Sequence, residues 1–237
     1  MFKGINLLIF SIYSEDELKR RIITTADGSK TIQIEDWNEQ YHSKHGAIQE
    51  AYHVFIEHGL RLFPEGKVNI LEIGFGTGLN ALITLKEAAR KNLDIEYVGV
   101  EAYPVTLQEV EALEYCDQLQ VPQLKSIFQN MHQASWDEQA FISDIFKLTK
   151  QKKDFRDIDQ KNLFNLIYFD AFGARVQPDL WTENVFAKMF LALRTKGVLV
   201  TYSAKGSVRR ALQAVGFEVE RLPGPPGKRE MLRAIKP

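Results

Sequence analysis

Short apolar runs alternate along most of this chain with longer segments whose apolar residues recur at helical spacing. The apolar runs, each predicted to be a strand, read VNILEIG, IEYVGVEA, AFISD, NLIYFDAF and GVLVTYSA. The intervening segments, each predicted to be a helix, include NALITLKEAARKN, VTLQEVEALEY, TENVFAKMFLAL and SVRRALQAVG. Strands that alternate with helices in this way form a parallel sheet with helices on both faces. The pattern therefore predicts an α/β fold built on a doubly wound, Rossmann-like sheet.

The chain closes with two further strand-like runs, FEVERL and REMLRAIK, which are joined by PGPPGK. This connection is rich in proline and glycine and too short for a crossover helix, so we expect the two strands to pair antiparallel. A doubly wound sheet closed by such a C-terminal antiparallel hairpin resembles the class I S-adenosylmethionine-dependent methyltransferases. A dinucleotide dehydrogenase domain normally keeps its sheet parallel.

The first 63 residues follow a mixed pattern. The stretch RIITTADGSKTIQI predicts a β-hairpin that turns at Asp27 and Gly28, and a helix is expected from about Gly46 to His58. The apolar run INLLIFSIY is too short to span a bilayer and lacks a signal cleavage pattern, so we interpret it as an edge strand or short extension. We expect residues 1–63 to form an N-terminal extension that packs on a core domain of residues 64–237.

Charge is distributed unevenly although the whole chain is nearly neutral, with 30 lysines and arginines, 31 acidic residues and a net charge of -1. Residues 194–237 hold ten lysines and arginines but three glutamates, a balance of +7 that leaves -8 for the rest. Such asymmetry indicates either an electropositive face for nucleic acid or ordinary solvated charge. The single cysteine, Cys116, excludes an intramolecular disulfide framework and fits a reducing cytoplasm.

The stretch LEIGFGTGLN places Gly74, Gly76 and Gly78 between the first strand of the core domain and its helix. Glycines let the backbone take positive φ and pass close under a ligand, at the edge where open α/β sheets bind their ligands. The dinucleotide fingerprint needs a small residue at position 79, which is Leu79 here. The observed spacing, with Glu72 ahead of it, instead resembles the first motif of class I methyltransferases. A purely structural turn is the alternative.

Acidic residues close the next two predicted strands. Glu101 follows YVGV and can accept hydrogen bonds from both hydroxyls of a ribose, which S-adenosylmethionine and the dinucleotides share. Asp144 closes AFISD, where we expect it either to accept from the exocyclic amine of adenine or to cap a helix in IFKLTK. Glu101 therefore supports a nucleoside cofactor without choosing one, and a solvated glutamate at the end of a strand is the alternative.

Asp170 closes the fourth predicted strand, in NLIYFDAFGARVQPDLWT. Because the first and fourth strands flank the switch point of the sheet, we expect its carboxylate to emerge in the ligand crevice, beside a sulfonium methyl group. Burial against Phe169, Phe172 and Trp181 would raise its pKa, whereas a cationic sulfonium or amine would lower it. A turn or capping aspartate is the alternative.

With these residues in place, the sequence from about Ile22 to Ile235 resembles the family of tRNA 5-methylaminomethyl-2-thiouridine methyltransferases. The matching stretches are DGSKT, YHSKHGAIQEAYHVF, LEIGFGTGLNAL, EAYPV, FDAFGARVQPDLWT, TYSAKGSVRRALQAVGF and GPPGKREM. The last three are the most specific, because ordinary class I methyltransferases lack them. The resemblance implies that S-adenosylmethionine donates a methyl group to the primary amine of a 5-aminomethyl (2-thio)uridine at the tRNA wobble position.

The resemblance also implies roles for individual residues. The family's cofactor motifs fall on Glu72, Gly74, Gly76, Gly78, Glu101 and Asp144, and its catalytic aspartate falls on Asp170. We expect Asp170 to take a proton from the amine or to orient it. Bifunctional members carry a second, flavin-dependent half, for which these 237 residues leave no room, so we expect methyl transfer only.

The expected partner is the anticodon stem-loop of tRNA, and neither a membrane nor an obligatory protein partner is inferred. We expect basic C-terminal residues to contact phosphates, Trp181 or Phe172 to stack on the extruded base, and residues 41–50 to cover the pocket. The candidate substrate-binding residues are Tyr41, Glu50, Phe172, Trp181, Arg209, Arg210, Lys228 and Arg229. Arg210 could instead pack along its helix, and Arg229 could pair with Glu101 or Asp170 inside the site.

No metal is expected, and three other functions remain open. His42 and His45 lack an identifiable third ligand, and methyl transfer to an amine needs no metal. A transferase acting on a small-molecule amine is the first alternative, although an aminopropyltransferase would be expected to show a second acidic cluster. A nicotinamide-dependent oxidoreductase is disfavoured by Leu79 and the terminal hairpin. A non-enzymatic tRNA-binding module would leave Glu101 and Asp170 without a role.

Overall fold

The computed structural model describes residues 19–237, and the edge strand predicted in INLLIFSIY lies outside the described residues. A three-stranded sheet contains β1 (Arg20–Thr24), β2 (Lys30–Ile34) and β3 (Glu39–Gln40). An eight-stranded sheet contains β4 (Gly66–Ile73), β5 (Leu93–Glu101), β6 (Gln139–Ser143), β7 (Phe146–Lys152), β8 (Phe164–Phe169), β9 (Leu193–Thr201), β10 (Glu218–Pro223) and β11 (Glu230–Ile235). The α-helices are α1 (Ala47–Ala51), α2 (Leu79–Ala88), α3 (Leu107–Leu113), α4 (Tyr115–Gln118), α5 (Lys125–Gln133), α6 (Glu183–Ala192) and α7 (Gly206–Ala214).

The large sheet has the strand order β10-β11-β9-β8-β4-β5-β7-β6. Its five central strands, β9, β8, β4, β5 and β7, run parallel. From β4 the chain passes to β5 on one side of the sheet, and it later returns to β8 on the other side. The switch point therefore lies at the carboxyl ends of β4 and β8, where open α/β sheets bind their ligands. The predicted doubly wound fold is confirmed.

The predicted C-terminal hairpin is also confirmed, since β10 and β11 pair antiparallel. β11 pairs antiparallel with β9 as well and so lies between β9 and β10. Leu232 lies opposite Thr201 at the end of β9, which puts the hairpin turn at the carboxyl edge of the sheet. A hydrogen bond of 3.1 Å from the Gly224 N–H to the Arg229 carbonyl closes that turn.

The prediction for the third parallel strand is wrong. AFISD forms β6, an antiparallel edge strand, and the parallel neighbour of β5 is β7 with the sequence FKLTKQK. This strand is hard to recognise because five of its seven residues are polar. Lys152 at its end lies opposite Glu101, whereas Asp144 lies in the turn before its start. Asp144 is thus at the amino edge of the sheet, roughly 20 Å from the carboxyl edge.

The predicted N-terminal hairpin and helix are both confirmed. β1 and β2 pair antiparallel around a turn in which Gly28 has a φ of +83°. The Asp27 carboxylate accepts the Gln49 N–H at 3.1 Å and so joins this turn to α1. α1 continues directly as a π-helical segment, Tyr52–Glu57, which packs against α2 and β9. The domain boundary at residue 63 stays a prediction.

Apolar clusters cover both faces of the large sheet. Side chains alternate along a strand, so Ile70 of β4 belongs to one cluster and the adjacent Leu71 to the other. The second cluster also contains Trp181 and Phe186, from the 3-10 segment Pro178–Trp181 and from α6. Within residues 19–237, no helix combines the length and apolar character needed to cross a bilayer.

Candidate active site

Two adjoining cavities lie at the carboxyl edge of the large sheet. The larger has a volume of about 540 Å³ and reaches from β8 past β4 to the ends of β5 and β7, and the smaller has a volume of about 370 Å³. Volumes of this size accommodate a cofactor or a nucleoside. Five residues line both cavities, namely Tyr41, His42, Asp170, Ala171 and Phe172. Asp170 therefore lies at the junction of two ligand-sized spaces.

The glycine turn borders the larger cavity and leaves no room for side chains. The φ angles are +89° at Gly74, +49° at Gly76 and +71° at Gly78. A Cβ at Gly74 would lie 2.8 Å from the Asp170 carbonyl oxygen, and a Cβ at Gly76 would lie 3.0 Å from the Tyr41 ring. The absence of side chains lets β4, β8 and the Tyr41 segment approach one another, and Gly78 begins α2 behind the cavity.

Glu101 ends β5 and lines the larger cavity. One carboxylate oxygen accepts the Gly76 N–H and the other accepts the Tyr103 N–H, both at 2.9 Å. These bonds hold the glycine turn and the carboxylate in one arrangement. Burial raises the pKa of Glu101, and the backbone donors oppose that shift. Each oxygen keeps a further lone pair, so Glu101 can still accept the two hydroxyls of a ribose.

Asn80, which the sequence pattern does not single out, joins two acidic residues at the switch point. Its Nδ2 group donates to Glu72 Oε1 at 2.8 Å and to Asp170 Oδ2 at 2.9 Å. Burial raises the pKa of Glu72 well above its ordinary value, and the charge of Asp170 raises it further. Burial also raises the pKa of Asp170 strongly, with a contribution from the charge of Glu50. A single amide group thus donates a hydrogen bond to each of two carboxyl groups. Burial disfavours the charged form of both.

The acidic residue at the carboxyl end of β7 is Asp154 rather than Asp144. Asp154 and Phe155 follow β7 and line the larger cavity, whereas Asp144 lies at the opposite edge of the sheet, so its predicted contact with adenine is wrong. Asp154 accepts two hydrogen bonds from the Arg156 guanidinium, at 2.7 and 2.9 Å, which lower its pKa. Recognising β7 as a strand would have predicted this position.

Glu50 and Lys228 meet in the smaller cavity. Lys228 Nζ donates to Glu50 Oε1 at 2.6 Å and lies 3.8 Å from the centre of the Tyr202 ring. The Tyr202 hydroxyl donates to the Ala171 carbonyl at 2.8 Å, which orients that ring. Lys228 was expected on a phosphate-binding surface, but a carboxylate and an aromatic ring hold its ammonium inside the cavity. Its predicted phosphate contact is therefore corrected.

Two aromatic side chains expected to stack on a base have different surroundings. Phe172 lines both cavities and contacts the rings of Trp37 and Tyr41 edge-on, with centroids 5.7 and 5.0 Å away. Trp181 is 5% exposed, packs against Phe169, and donates its Nε1–H to the Phe172 carbonyl at 2.8 Å. The stacking prediction for Trp181 is wrong, because core packing holds its ring away from both cavities.

The remaining predicted basic residues lie at the carboxyl edge, outside the cavities. Arg209 and Arg210 belong to the first two turns of α7, which follows β9, and Arg210 is exposed. Arg229 lies in the hairpin turn, where its side chain is 90% exposed and pairs with Glu230 at 3.7 Å. The alternative pairing of Arg229 with an acidic residue of the site is therefore wrong.

Arg175 is a residue of the site that the sequence pattern did not identify. It follows β8, lines the larger cavity, and pairs with Glu39 at 2.9 Å. The same guanidinium donates to the carbonyls of Trp37 and Asn38, both at 3.4 Å. These bonds tie the loop after β8 to the β2–β3 turn across the cavity.

His42 and His45 lie in residues 41–50, the segment expected to cover the pocket. Burial lowers the pKa of His42 to about 4, so its ring is neutral, and Nδ1 lies 3.2 Å from Thr31 Oγ1. In residues 19–237 no group of three or more His, Cys, Asp or Glu side chains has a geometry suited to a metal ion. His42 is a packed residue between the two cavities.

Comparisons with known proteins agree with this geometry. A family model described as S-adenosyl-L-methionine-dependent methyltransferase matches residues 111–237. The tRNA 5-methylaminomethyl-2-thiouridine biosynthesis bifunctional protein MnmC of Cupriavidus metallidurans is 30% identical over 215 residues, which cover 82% of this chain and 31% of that protein. The protein of the same name from Nitrosospira multiformis is 27% identical over 220 residues, which cover 85% of this chain and 34% of that protein. The chain spans about a third of the length of these relatives.

Solved structures show the same architecture. The crystal structure of MnmC2 from Aquifex aeolicus matches with a TM-score of 0.68 and 25% identity, covering 94% of this chain and 72% of that one. Spermidine synthase from Thermotoga maritima matches with a TM-score of 0.52 and 17% identity, covering 93% of this chain and 74% of that one. At this identity the match shows the fold alone. The predicted class I methyltransferase fold and the family resemblance are confirmed.

The raised pKa of Glu72 predicts a specific pH dependence of stability. Above its ordinary pKa of 4.5, the unfolded chain releases the Glu72 proton while the folded chain retains it. The folded state therefore loses up to about 1.4 kcal/mol of stability per pH unit until the raised pKa is reached. Glu72→Gln removes this loss, so the variant should gain stability relative to the wild type as pH rises, as measured by denaturant unfolding.

Glu96→Gln is the matched control for this measurement. The Lys67 ammonium lowers the pKa of Glu96, so the stability that Glu96 contributes is complete above its ordinary pKa of 4.5, and the difference between this variant and the wild type should stay constant from about pH 5 to 8. A difference between the Glu72→Gln variant and the wild type that stays constant from pH 4 to 8 would contradict the raised pKa of Glu72.

Proposed function

This chain belongs to the S-adenosyl-L-methionine-dependent methyltransferase family, and we propose that it N-methylates the 5-aminomethyl group of a (2-thio)uridine at the tRNA wobble position. The product is 5-methylaminomethyl-2-thiouridine. The names of the relatives from Cupriavidus metallidurans and Nitrosospira multiformis place those two proteins in the biosynthesis of this nucleoside. We infer that the reaction takes place in the cytoplasm, on the anticodon stem-loop, within a methyltransferase domain of residues 64–237.

The observation that carries the proposal is the position of Asp170 between two cavities. A transferase must bring a donor and an acceptor together at one point and hold them in line. The larger cavity has the glycine turn and Glu101, which suit a nucleoside cofactor. The smaller cavity has Glu50 and Tyr202, which suit a cationic group. Asp170 faces both.

The residues of the larger cavity fit S-adenosylmethionine. Gly74 and Gly76 keep clear the space that a Cβ would fill, and Glu101 offers free lone pairs to a ribose. Asp154 and Phe155 border the same cavity further from Asp170 along the sheet edge, where they suit an adenine ring. When bound, the cofactor supplies a sulfonium methyl carbon that accepts a nitrogen lone pair while sulfur keeps the electrons of the broken bond.

Asp170 has the properties needed to prepare the amine. An alkylammonium has no free lone pair near neutral pH, so its proton must leave before attack. Burial and the charge of Glu50 raise the pKa of the Asp170 carboxyl, which makes its carboxylate a stronger base than a solvated one. The hydrogen bond from Asn80 to Oδ2 leaves Oδ1 to accept the ammonium proton. Asp170 thereby orients the amine and takes up its proton.

Three basic residues beside the cavities, of which Arg210 and Arg229 are exposed and Arg209 is partly buried, suit the tRNA backbone. Arg209 and Arg210 on α7 and Arg229 in the hairpin turn lie at the same sheet edge as the site. Arginines there would contact phosphates while Tyr41 or Phe172 stacks on an extruded base, as single-stranded RNA loops are usually recognised. A small-molecule amine would not use this outer surface.

Replacement of Asp170 tests the proposed reaction directly. We expect Asp170→Asn to lower single-turnover methylation of tRNA bearing 5-aminomethyl-2-thiouridine by about 10²-fold or more, since Asn cannot accept the ammonium proton. Cofactor affinity, measured by calorimetry, should change far less. Nucleoside analysis of the wild-type reaction should show 5-methylaminomethyl-2-thiouridine.

Asp144→Asn is the matched control, because Asp144 lies at the opposite edge of the sheet, and it should methylate at the wild-type rate. A wild-type rate for Asp170→Asn would refute the role of Asp170. A wild-type enzyme that leaves this tRNA unmodified but methylates free alkylamines would refute the proposed substrate.

The tRNA surface is tested by salt dependence. Each phosphate contact contributes about one unit to the slope of log affinity against log salt, so Arg209→Ala/Arg210→Ala should flatten it by up to about two units. Cofactor affinity should stay unchanged. The control is Arg90→Ala/Lys91→Ala, which changes two adjacent basic residues just after the carboxyl end of α2. This variant should keep the wild-type slope. Equal slopes in all three proteins would show that α7 does not contact tRNA.

A further inference from the structure

The surroundings of the Lys228 ammonium are those of a ligand-binding site. Lys228 Nζ lies 2.6 Å from Glu50 Oε1 and 3.8 Å from the centre of the Tyr202 ring, inside the smaller cavity. Asp170 lines the same cavity, and its carboxyl interacts electrostatically with both Glu50 and Lys228. Carboxylates beside an aromatic face are a common environment for binding an alkylammonium group.

The head of a lysine is chemically the same group as the proposed substrate amine. Lys228 ends in a primary ammonium on a CH₂ group, and a protonated 5-aminomethyl group also ends in a primary ammonium on a CH₂ group. The two therefore suit the same acceptors in the same cavity. Exchange of one for the other leaves the number of charges unchanged, so Glu50 is never buried without a partner.

The Glu50 carboxylate can accept more hydrogen bonds than Lys228 donates to it. Glu50 is 7% exposed, and its buried Oε2 accepts no hydrogen bond from the residues that the structure describes. A buried carboxylate oxygen without a donor costs free energy. An ammonium has three N–H donors, so an amine seated deeper than Lys228 Nζ satisfies this oxygen as well.

Lys228 can leave this position without a change of fold. Its side chain is 31% exposed, so part of it already reaches solvent. Its backbone is held in the hairpin turn, where its N–H donates to the Pro225 carbonyl at 2.9 Å. The four-carbon side chain can therefore withdraw while the turn stays in place.

We propose that, before the substrate binds, the Lys228 ammonium occupies an ammonium-binding site formed by Glu50, Asp170 and Tyr202. The protonated aminomethyl group of the substrate then displaces Lys228 from this site. The identity of the amine rests on the proposed function. The exchange seats the substrate nitrogen beside Asp170. It also moves Lys228 toward the mouth of the cavity, so that an amine which reaches the site must first compete with a tethered one.

Binding of a free nucleoside to a variant without the tethered amine tests the exchange. Lys228→Met keeps an unbranched side chain as far as Cε and removes the ammonium group with its charge. We expect 5-aminomethyluridine to bind this variant about tenfold more tightly than the wild type, since it no longer competes with Lys228. Uridine, which lacks the amine, should bind both proteins equally. Calorimetry with cofactor present measures all four affinities.

Lys236→Met is the matched control. Lys236 also lies over an aromatic ring, 4.9 Å from the centre of Phe190, but its ammonium donates to the Leu193 carbonyl and to Asn162 rather than to a carboxylate. This variant should bind 5-aminomethyluridine as the wild type does. Equal affinity of the Lys228→Met variant and the wild type, or a gain in the Lys236→Met variant as well, would overturn the exchange.

Thermal unfolding provides a second test that needs no nucleoside. Lys228→Ala leaves Glu50 unpaired, and methylammonium chloride should raise its Tm by several degrees more than it raises that of the wild type, whereas sodium chloride should not. Glu50→Gln in the same background should abolish the effect, and its persistence there would count against the site. Neither test uses methylation, so an enzyme that fails on tRNA but shows the exchange refutes the proposed function alone.

Discussion

One side-chain amide holds the switch point of the sheet in its working arrangement. Asn80, at the start of α2, donates to Glu72 at the end of β4 and to Asp170 after β8. Both carboxyl groups are enclosed at one place, so charging either is disfavoured by burial and by the neighbouring acids. Because the Asn80 amide is neutral, it holds both carboxyl groups in place while their pKa values stay raised. Asp170 consequently remains more basic than a solvated aspartate, which is the property that proton removal from an ammonium requires.

The charges around this point separate into an inner and an outer set. Acidic side chains line both cavities, and basic ones pair with some of them there: Lys228 with Glu50, Arg156 with Asp154, and Arg175 with Glu39. Arg209, Arg210 and Arg229 lie outside, where a polyanion would approach. Under the proposed function, the inner charges would select the reacting groups, and the outer charges would attract the nucleic acid that carries one of them. The near-zero net charge of the chain conceals this division.

The sequence predicted the sheet, its closing hairpin and the residues of the glycine turn, because their spacing reports backbone geometry directly. It misplaced Asp144, because the polar strand β7 does not show apolar periodicity. It assigned Trp181 to the substrate, although packing and a hydrogen bond to Phe172 place that ring in the core. Contacts between distant segments, such as that of Lys228 with Glu50, depend on tertiary geometry and leave no local signal.

The central claim is that the cofactor lies in the larger cavity between Glu101 and Asp170, and calorimetric titration of S-adenosylmethionine against Glu101→Ala tests it most directly. Loss of two hydrogen bonds to the ribose should weaken binding by about 2 to 4 kcal/mol. Asp144→Ala, at the opposite edge of the sheet, should bind as the wild type does. Wild-type affinity in the Glu101→Ala variant, or weakened binding in the Asp144→Ala variant, would contradict this placement.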